Sequence, residues 1–345
     1  MADVFINFAT MENPLNNFAL SMFAYAAQRE MDVISLANLS GINLSELQSA
    51  NAQALSKAQI NEMWLHAVSL SRDDMFGLHF GESLQLAALG VVGQIIKSSA
   101  TIGDALKTAA SFTPVLTDLF STDVSKTDDA IIINFKPQVD DWQRDMISAQ
   151  TIQFLMVFVI HELDGLVLKK INPKEVQYAG KINGTAEFER VVRCKINFGG
   201  KSNYIKLDPG YWDTTIITSN YQIQQILLEK NISLKVLLNG KTTLRERIVN
   251  YLATNSYLGM ASLEQVARNF NTGTRTLQRQ LKEEGVSFQQ ITDDVRKTLA
   301  LEYLNAGKHP LKEISDMLGY NELSAFVRTF KRWTGTTPAY YRQSL

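Results

Sequence analysis

Arg275, Gln278, Arg279 and Lys282 recur at i, i+3, i+4 and i+7, with Thr274 just before them. On a helix these five side chains share one face, while Leu277 and Leu281 share the other. An arginine guanidinium donates two parallel hydrogen bonds to the O6 and N7 of guanine. A glutamine amide pairs with the N6 and N7 edge of adenine. A well-made bidentate contact of this kind contributes about 1–3 kcal/mol of base discrimination. Arg275, Gln278 and Arg279 therefore suit base reading, and Lys282, one turn on, suits a phosphate, which positions without specifying. A solvated helix face can have the same composition, so the elements around it must decide.

Those elements occur twice. Leu263, Val266, Ala267 and Phe270 reappear 48 positions later as Leu311, Ile314, Ser315 and Leu318. Leu277, Arg279, Leu281 and Lys282 reappear 49 positions later as Phe326, Arg328, Phe330 and Lys331. One residue has been added in the turn. Each copy reads as helix, turn, helix. In the first, Ser262 caps a helix over 263–270, Gln265 completes a capping box, and Asn271-Thr-Gly turns into a helix over 274–284. The small Ala267 sits where the second helix crosses the first. A long helix over 288–305 follows, stopped by Gly307 and Pro310. The second copy runs from a helix over 311–318, through Gly319-Tyr320-Asn321, to a helix over 322–333. Its outward positions are Leu323, Ser324, Val327, Arg328 and Lys331. This face is poorer in base-reading groups and suits phosphate contact or apolar contact with a thymine methyl. Arg332 and Arg342 are further candidates for backbone contact. Two such units in one small module imply one task, the insertion of two helices into successive major grooves of a duplex.

The charge follows the same division. Residues 242–345 hold 14 Lys and Arg against 10 Asp and Glu, a net +4, within a chain of net charge −1. The remaining 20 basic and 25 acidic residues make the first part acidic. A basic module on an acidic partner fits a sensor joined to a DNA-binding unit.

With 345 residues, 45% apolar and 20% charged, the chain reads as globular and multidomain. The longest uninterrupted apolar run, 154–160, is far shorter than the roughly 20 residues of a membrane span. The opening MADVFINFAT has no basic stretch followed by an apolar block, so no signal peptide is expected. A lone Cys194 forbids an intrachain disulfide and fits a reducing cytoplasm. Residues 15–85 read as helical. From 86 to 241 the signal is mixed: a Thr101-capped helix to about Phe112, strands near 119–124 and 130–135, and a long apolar helix over 142–168 with a break at Asp164-Gly165. Further strands fall near 175–178, 195–198 and 204–207, with a helix over 186–192. A helix over 220–240, ending at Asn239-Gly240, marks the domain boundary. The fold class is thus an α+β N-terminal sensor or dimerisation domain (1–240) and an all-α C-terminal domain (241–345). The latter holds helix-turn-helix units at about 262–284 and 311–333, joined by a linker helix at about 288–305.

The run TLQRQLKEEGVSFQQITDDVRKTLALEYLNAG, with LKEISDMLGYNELSAFVRTFKRWTGTTPAYYR, resembles the DNA-binding domain of AraC/XylS-type transcriptional regulators. It covers about 242–343, including the closing Gly335, Thr337-Pro338 and Arg342. The resemblance implies seven helices and DNA contact at the positions of Arg275, Gln278, Arg279 and Arg328. Ser315 departs from it, since the family usually carries Ala there. The stretch MFGLHFGESLQLAALGVVGQIIKSSATIGDALKTAASF is similar to the arabinose-binding-type N-terminal domain of ornithine-utilisation and virulence regulators. That name implies no affinity for arabinose; related architectures are described as sensing amino acids or fatty acids.

No other chemistry competes. His66, His79, His161 and His309 have no partners at metal-ligand spacing, and glycine-rich nucleotide motifs are absent, so no metal and no cofactor is expected. A single cysteine cannot build the zinc-bound cluster of a DNA-repair methyltransferase, and no catalytic constellation supports an enzyme. The effector site has no sequence signature. Phe154 and Phe158, on the long apolar helix, are candidate lining residues, with core packing as the competing reading. The expected function is a cytoplasmic, sequence-specific transcription activator that binds double-stranded promoter DNA. RNA polymerase, a second copy of the chain, and a small effector such as a fatty acid or an amino acid are the further partners. A regulator controlled by a protein partner is the alternative.

Overall fold

The computed structural model describes residues 13–49, 52–167, 169–182, 184–216, 242–255, 260–307 and 309–344. The chain forms two compact units, Met1–Thr218 and Ser219–Leu345. The expected helix over 220–240 and the boundary at Asn239-Gly240 lie outside the described residues.

The first unit begins with helices α1 (Pro14–Gln28), α2 (Val33–Leu39), α3 (Leu44–Leu47), α4 (Lys57–Ser71), α5 (Phe76–Ser83), α6 (Val91–Lys97) and α7 (Ile102–Leu116). Their starts follow local rules. Asn13 accepts from the N–H groups of Leu15 and Asn16 with Pro14 behind it, and Ser56 and Gln59 form a reciprocal capping box. Thr101 caps α7 as expected, but the helix continues past Phe112 and through Pro114 to Leu116. Packing on the first strand, including a 2.9 Å bond from Thr113 Oγ1 to Thr122 Oγ1, holds that last turn.

Strands β1 (Phe120–Lys126), β2 (Ile131–Pro137), β3 (Glu175–Tyr178), β4 (Ile196–Phe198) and β5 (Asn203–Leu207) form one sheet of order β1-β2-β5-β3-β4. Only β3 and β4 pair in parallel, and α9 (Thr185–Val192) makes the crossover that a parallel pair needs. One apolar row crosses all five strands: Val124, Ile133, Ile205, Val176 and Ile196 stand opposite one another in turn. Alternate burial along β2 and β5 puts this row on the core side.

Helix α8 (Met146–Val167) is the spine of this unit. The expected break at Asp164-Gly165 does not occur, and a 3₁₀ turn, Trp142–Arg144, replaces its expected first turn. Asp164 stays helical because its carboxylate is satisfied elsewhere, accepting from Ile171 N at 2.8 Å and Arg193 Nη2 at 2.9 Å. By length and composition α8 is apolar enough to cross a membrane, which counting uninterrupted residues missed because Gln150, Thr151 and Gln153 interrupt the run. Yet 72% of its most apolar window is buried inside the protein, the pattern of a core helix. Helix α5 lies directly against it. A Cβ on Gly77 would stand 2.2 Å from the Gln150 carbonyl oxygen, so only glycine permits this approach.

The second unit contains, among the described residues, seven helices: α10 (Leu244–Thr254), α11 (Leu263–Asn269), α12 (Thr274–Glu283), α13 (Phe288–Ala306), α14 (Leu311–Met317), α15 (Leu323–Thr334) and α16 (Pro338–Gln343). Capping boxes at Thr243/Glu246, Ser262/Gln265 and Ser287/Gln290 start α10, α11 and α13. The linker helix α13 buries Ile291, Val295, Leu299 and Leu304, the positions its periodicity marks as apolar.

Candidate nucleic-acid interface

Each helix-turn-helix is built on a small buried residue at the helix crossing. Ala267 on α11 and Ser315 on α14 are 1% and 0% exposed. After each, the chain turns through a left-handed residue, Asn271 (φ 51°) and Gly319 (φ 78°). Thr272 N then donates to Ala267 O at 2.8 Å, and Tyr320 N to Ser315 O at 3.0 Å. The inserted residue of the second copy lies beyond this point, because Gly273 caps α12 directly while Asn321 intervenes before the cap Glu322 of α15.

The two second helices then show the same division of faces. On α12, Leu277 and Leu281 are buried, whereas Arg275, Gln278, Arg279 and Lys282 are exposed and Thr274 is half-buried. On α15, Phe326 and Phe330 are buried; Ser324, Arg328 and Lys331 are exposed; Leu323 and Val327 are half-buried. Phe326 and Phe330 meet edge to face at 5.8 Å and Phe330 meets Tyr341 at 5.7 Å, which anchors α15 on α16. The structure thus gathers both predicted sets, each on the outward side of its own helix.

The cations differ in their availability. Arg279 Nε lies 3.8 Å from Glu283 Oε1, and both side chains are largely in solvent. Such an i,i+4 pair is worth about 0.3–0.5 kcal/mol, too little to hold the guanidinium away from a stronger acceptor. Arg332 reaches Asp293 at 3.6 Å and is also exposed. Arg342 is different. Its side chain is half-buried and its Nη2 donates to the carbonyl of His309 at 2.7 Å, so this arginine braces α16 against the entry to α14.

Two charged residues at the edges of the interface carry no sequence signal. Arg296 on α13 donates from Nε to Leu318 O at 3.2 Å and lies 5.4 Å over the Tyr320 ring, supporting the turn before α15. Glu284, the C-cap of α12, accepts from Leu244 N at 2.7 Å and Arg245 N at 2.8 Å. Their partners lie 22 and 40 positions away, beyond the reach of periodicity.

In the first unit, Phe154 and Phe158 sit in an aromatic cluster. Phe154 stacks on Phe80 and Phe158, each at 5.4 Å, and meets Phe18 at 5.4 Å and Trp64 at 5.7 Å. Cys194 is half-buried between α9 and β4; burial raises its thiol pKa, which disfavours a reactive thiolate.

Residues 31–216 match the family model described as the arabinose-binding domain of AraC transcription regulator, N-term, and residues 266–344 match a helix-turn-helix domain. The ornithine utilization regulator of Pseudomonas aeruginosa is 26% identical over 350 positions, covering 97% of this chain and 100% of its own. The HTH-type transcriptional regulator VqsM of the same species is 26% identical over 319, covering 86% and 91%. The urease operon transcriptional activator of Escherichia coli is 34% identical over 98, covering 28% of this chain and 33% of its own. The chain belongs to the AraC transcription regulators, with an arabinose-binding-type N-terminal domain followed by a helix-turn-helix DNA-binding domain, and is not an enzyme.

Proposed function

We propose that α12 and α15 enter successive major grooves of promoter DNA, about 34 Å apart along the duplex. Arg275, Gln278 and Arg279 read bases, and Lys282 holds a phosphate. Thr274 flanks them. On α15, Arg328 and Lys331 meet phosphates, while Leu323, Ser324 and Val327 make the closer groove contacts. The observation that carries this reading is the repeated division of α12 and α15 into one buried apolar face and one exposed face bearing cations.

The chain acts in the cytoplasm as an activator, in contact with RNA polymerase. The relative named as an activator aligns with about 28% of this chain, which favours activation over repression. Residues 1–240 sense a small effector or dimerise, and residues 241–345 bind DNA. Effector binding shifts the population between arrangements of the two domains. The relative named for ornithine utilization puts amino acids first among effectors to screen, ahead of fatty acids lodged near Phe154 and Phe158. A ligand that binds only the folded state raises its melting temperature. If no amino acid or lipid does so, control by a protein partner becomes the better reading.

The DNA reading is tested on a duplex enriched from a random pool by the full-length protein. Arg279→Ala weakens binding to that duplex by about 1–3 kcal/mol and relaxes base choice in one half of the site. Equal losses on selected and random DNA reduce Arg279 to a phosphate contact.

A further inference from the structure

The amide end of α10 is closed by two different carboxylates. Glu246 belongs to the helix itself: its Oε2 accepts from Thr243 N at 2.8 Å, and its own N–H donates to Thr243 Oγ1 at 3.1 Å. That box leaves the N–H groups of Leu244 and Arg245, which have no backbone acceptor within the helix. Glu284 takes both, one on each oxygen, at 2.7 and 2.8 Å. A carboxylate at a helix N-terminus gains charge-assisted bonds and a favourable interaction with the helix dipole. Two bonds on one carboxylate also fix its orientation, which one bond leaves free to swivel.

Glu284 is the residue that ends α12, two positions beyond Lys282 on the exposed face. At its far end α12 starts from Gly273, with no side-chain cap. Along its length the side chains it buries are Leu277 and Leu281, apolar groups that set no angle by directional bonding. The Glu284 clamp adds a directional restraint at one end. The corresponding position of α15 is Trp333, which can offer no such carboxylate, and α15 is instead seated on α16 through Phe330 and Tyr341. The restraint is therefore specific to the first helix-turn-helix.

We propose that Glu284 is a positioning residue for base recognition: by clamping the end of α12 onto the amide end of α10, it sets the angle at which Arg275, Gln278 and Arg279 are presented. This rests on the reading of α12 as a base-reading helix. A displacement of α10 must then displace α12 with it.

The test uses the full chain and the duplex enriched by wild-type protein. Glu284→Ala weakens binding to that duplex about fivefold or more, as expected for a coupled neighbour, while binding to random DNA holds. Re-selection with the variant flattens base preference in the half-site that Arg279→Ala also relaxes, and the other half is unchanged. Glu284→Asp keeps the charge and the acceptors but shortens the arm by one methylene, so it preserves folding and still alters preference in that half-site. Glu246→Ala breaks the capping box at the same helix end without touching α12; it lowers the melting temperature and leaves preference intact. If Glu284→Ala only lowers the melting temperature as Glu246→Ala does, or if Glu284→Asp selects the wild-type sequence, the proposal fails and Glu284 is a cap. If Glu284→Ala tightens binding to both duplexes, its role is charge repulsion and the proposal fails again. Should Arg279→Ala lose selected and random DNA alike, the failure belongs to the base-reading assignment and not to the clamp.

Discussion

Asn271 and Gly319 hold equivalent left-handed turn positions, 48 residues apart, with φ of 51° and 78°. A side chain at positive φ crowds the following carbonyl at a cost of roughly 1–2 kcal/mol; asparagine relieves part of this through local hydrogen bonding, and glycine avoids it. The two turns should therefore tolerate exchange. Gly319→Asn is expected to cost well under about 1 kcal/mol, and Gly319→Val roughly 1–2 kcal/mol. Urea unfolding followed on the second unit checks both. Equal stability of the two variants would show that this turn opens to another conformation.

Ser315 lies at the crossing of α14 and α15, fully buried, and its hydroxyl has no hydrogen-bond partner among the described residues. A buried unsatisfied hydroxyl costs about 1–3 kcal/mol relative to its apolar isostere. Ser315→Ala, which restores the family's usual residue, should raise stability by about 1 kcal/mol and leave DNA affinity unchanged. Thermal unfolding measures it. A loss of stability would reveal a partner for the hydroxyl.

Asp164 gives the first unit a pH response. Burial raises its carboxyl from the usual range to about 6, against the lowering pull of Arg193 and the Ile171 amide. A carboxyl whose folded pKa is raised favours the folded state while protonated in it. That contribution is complete below about pH 4 and is lost as pH rises through about 6. Its full size is on the order of 3 kcal/mol. Asp164→Asn cannot titrate. Its stability relative to wild type should therefore climb between pH 4 and 7, and a difference that stays flat over that range would refute the assignment. Comparing the two proteins at each pH cancels the other titrating groups, Asp73 and His79 among them.

Much of the second unit was readable from the chain because its signals are local. The caps at Ser262 and Ser287, the buried pairs Leu277/Leu281 and Phe326/Phe330, and the stop at Gly307 depend on residues within four positions of one another. Even the added residue of the second copy follows from counting. The exposed sets on α12 and α15 follow in turn, since a helix with one buried face must turn the other outward. The first unit was less legible. Its strands and the helices α7, α8 and α9 were found, but α1 to α5 read only as one helical stretch and α6 was missed; the order β1-β2-β5-β3-β4 joins segments far apart in sequence, and their apolar alternation fits several pairings. The expected break at Asp164-Gly165 failed for the same reason: what keeps α8 helical there is Arg193, on another element.

By itself, then, the order of residues settled where the helices of the two helix-turn-helix units form, which faces they bury and which cations they leave outward, because those properties arise within a turn or two of backbone. Only the folded chain decided what each charged group does. Arg342, a candidate for backbone contact, braces α16 through a carbonyl 33 positions away, and Glu284, one acid in a polar run, joins α12 to α10 across 40. A hydrogen bond needs two groups within about 3 Å, and no periodicity reports which distant backbone group will arrive there.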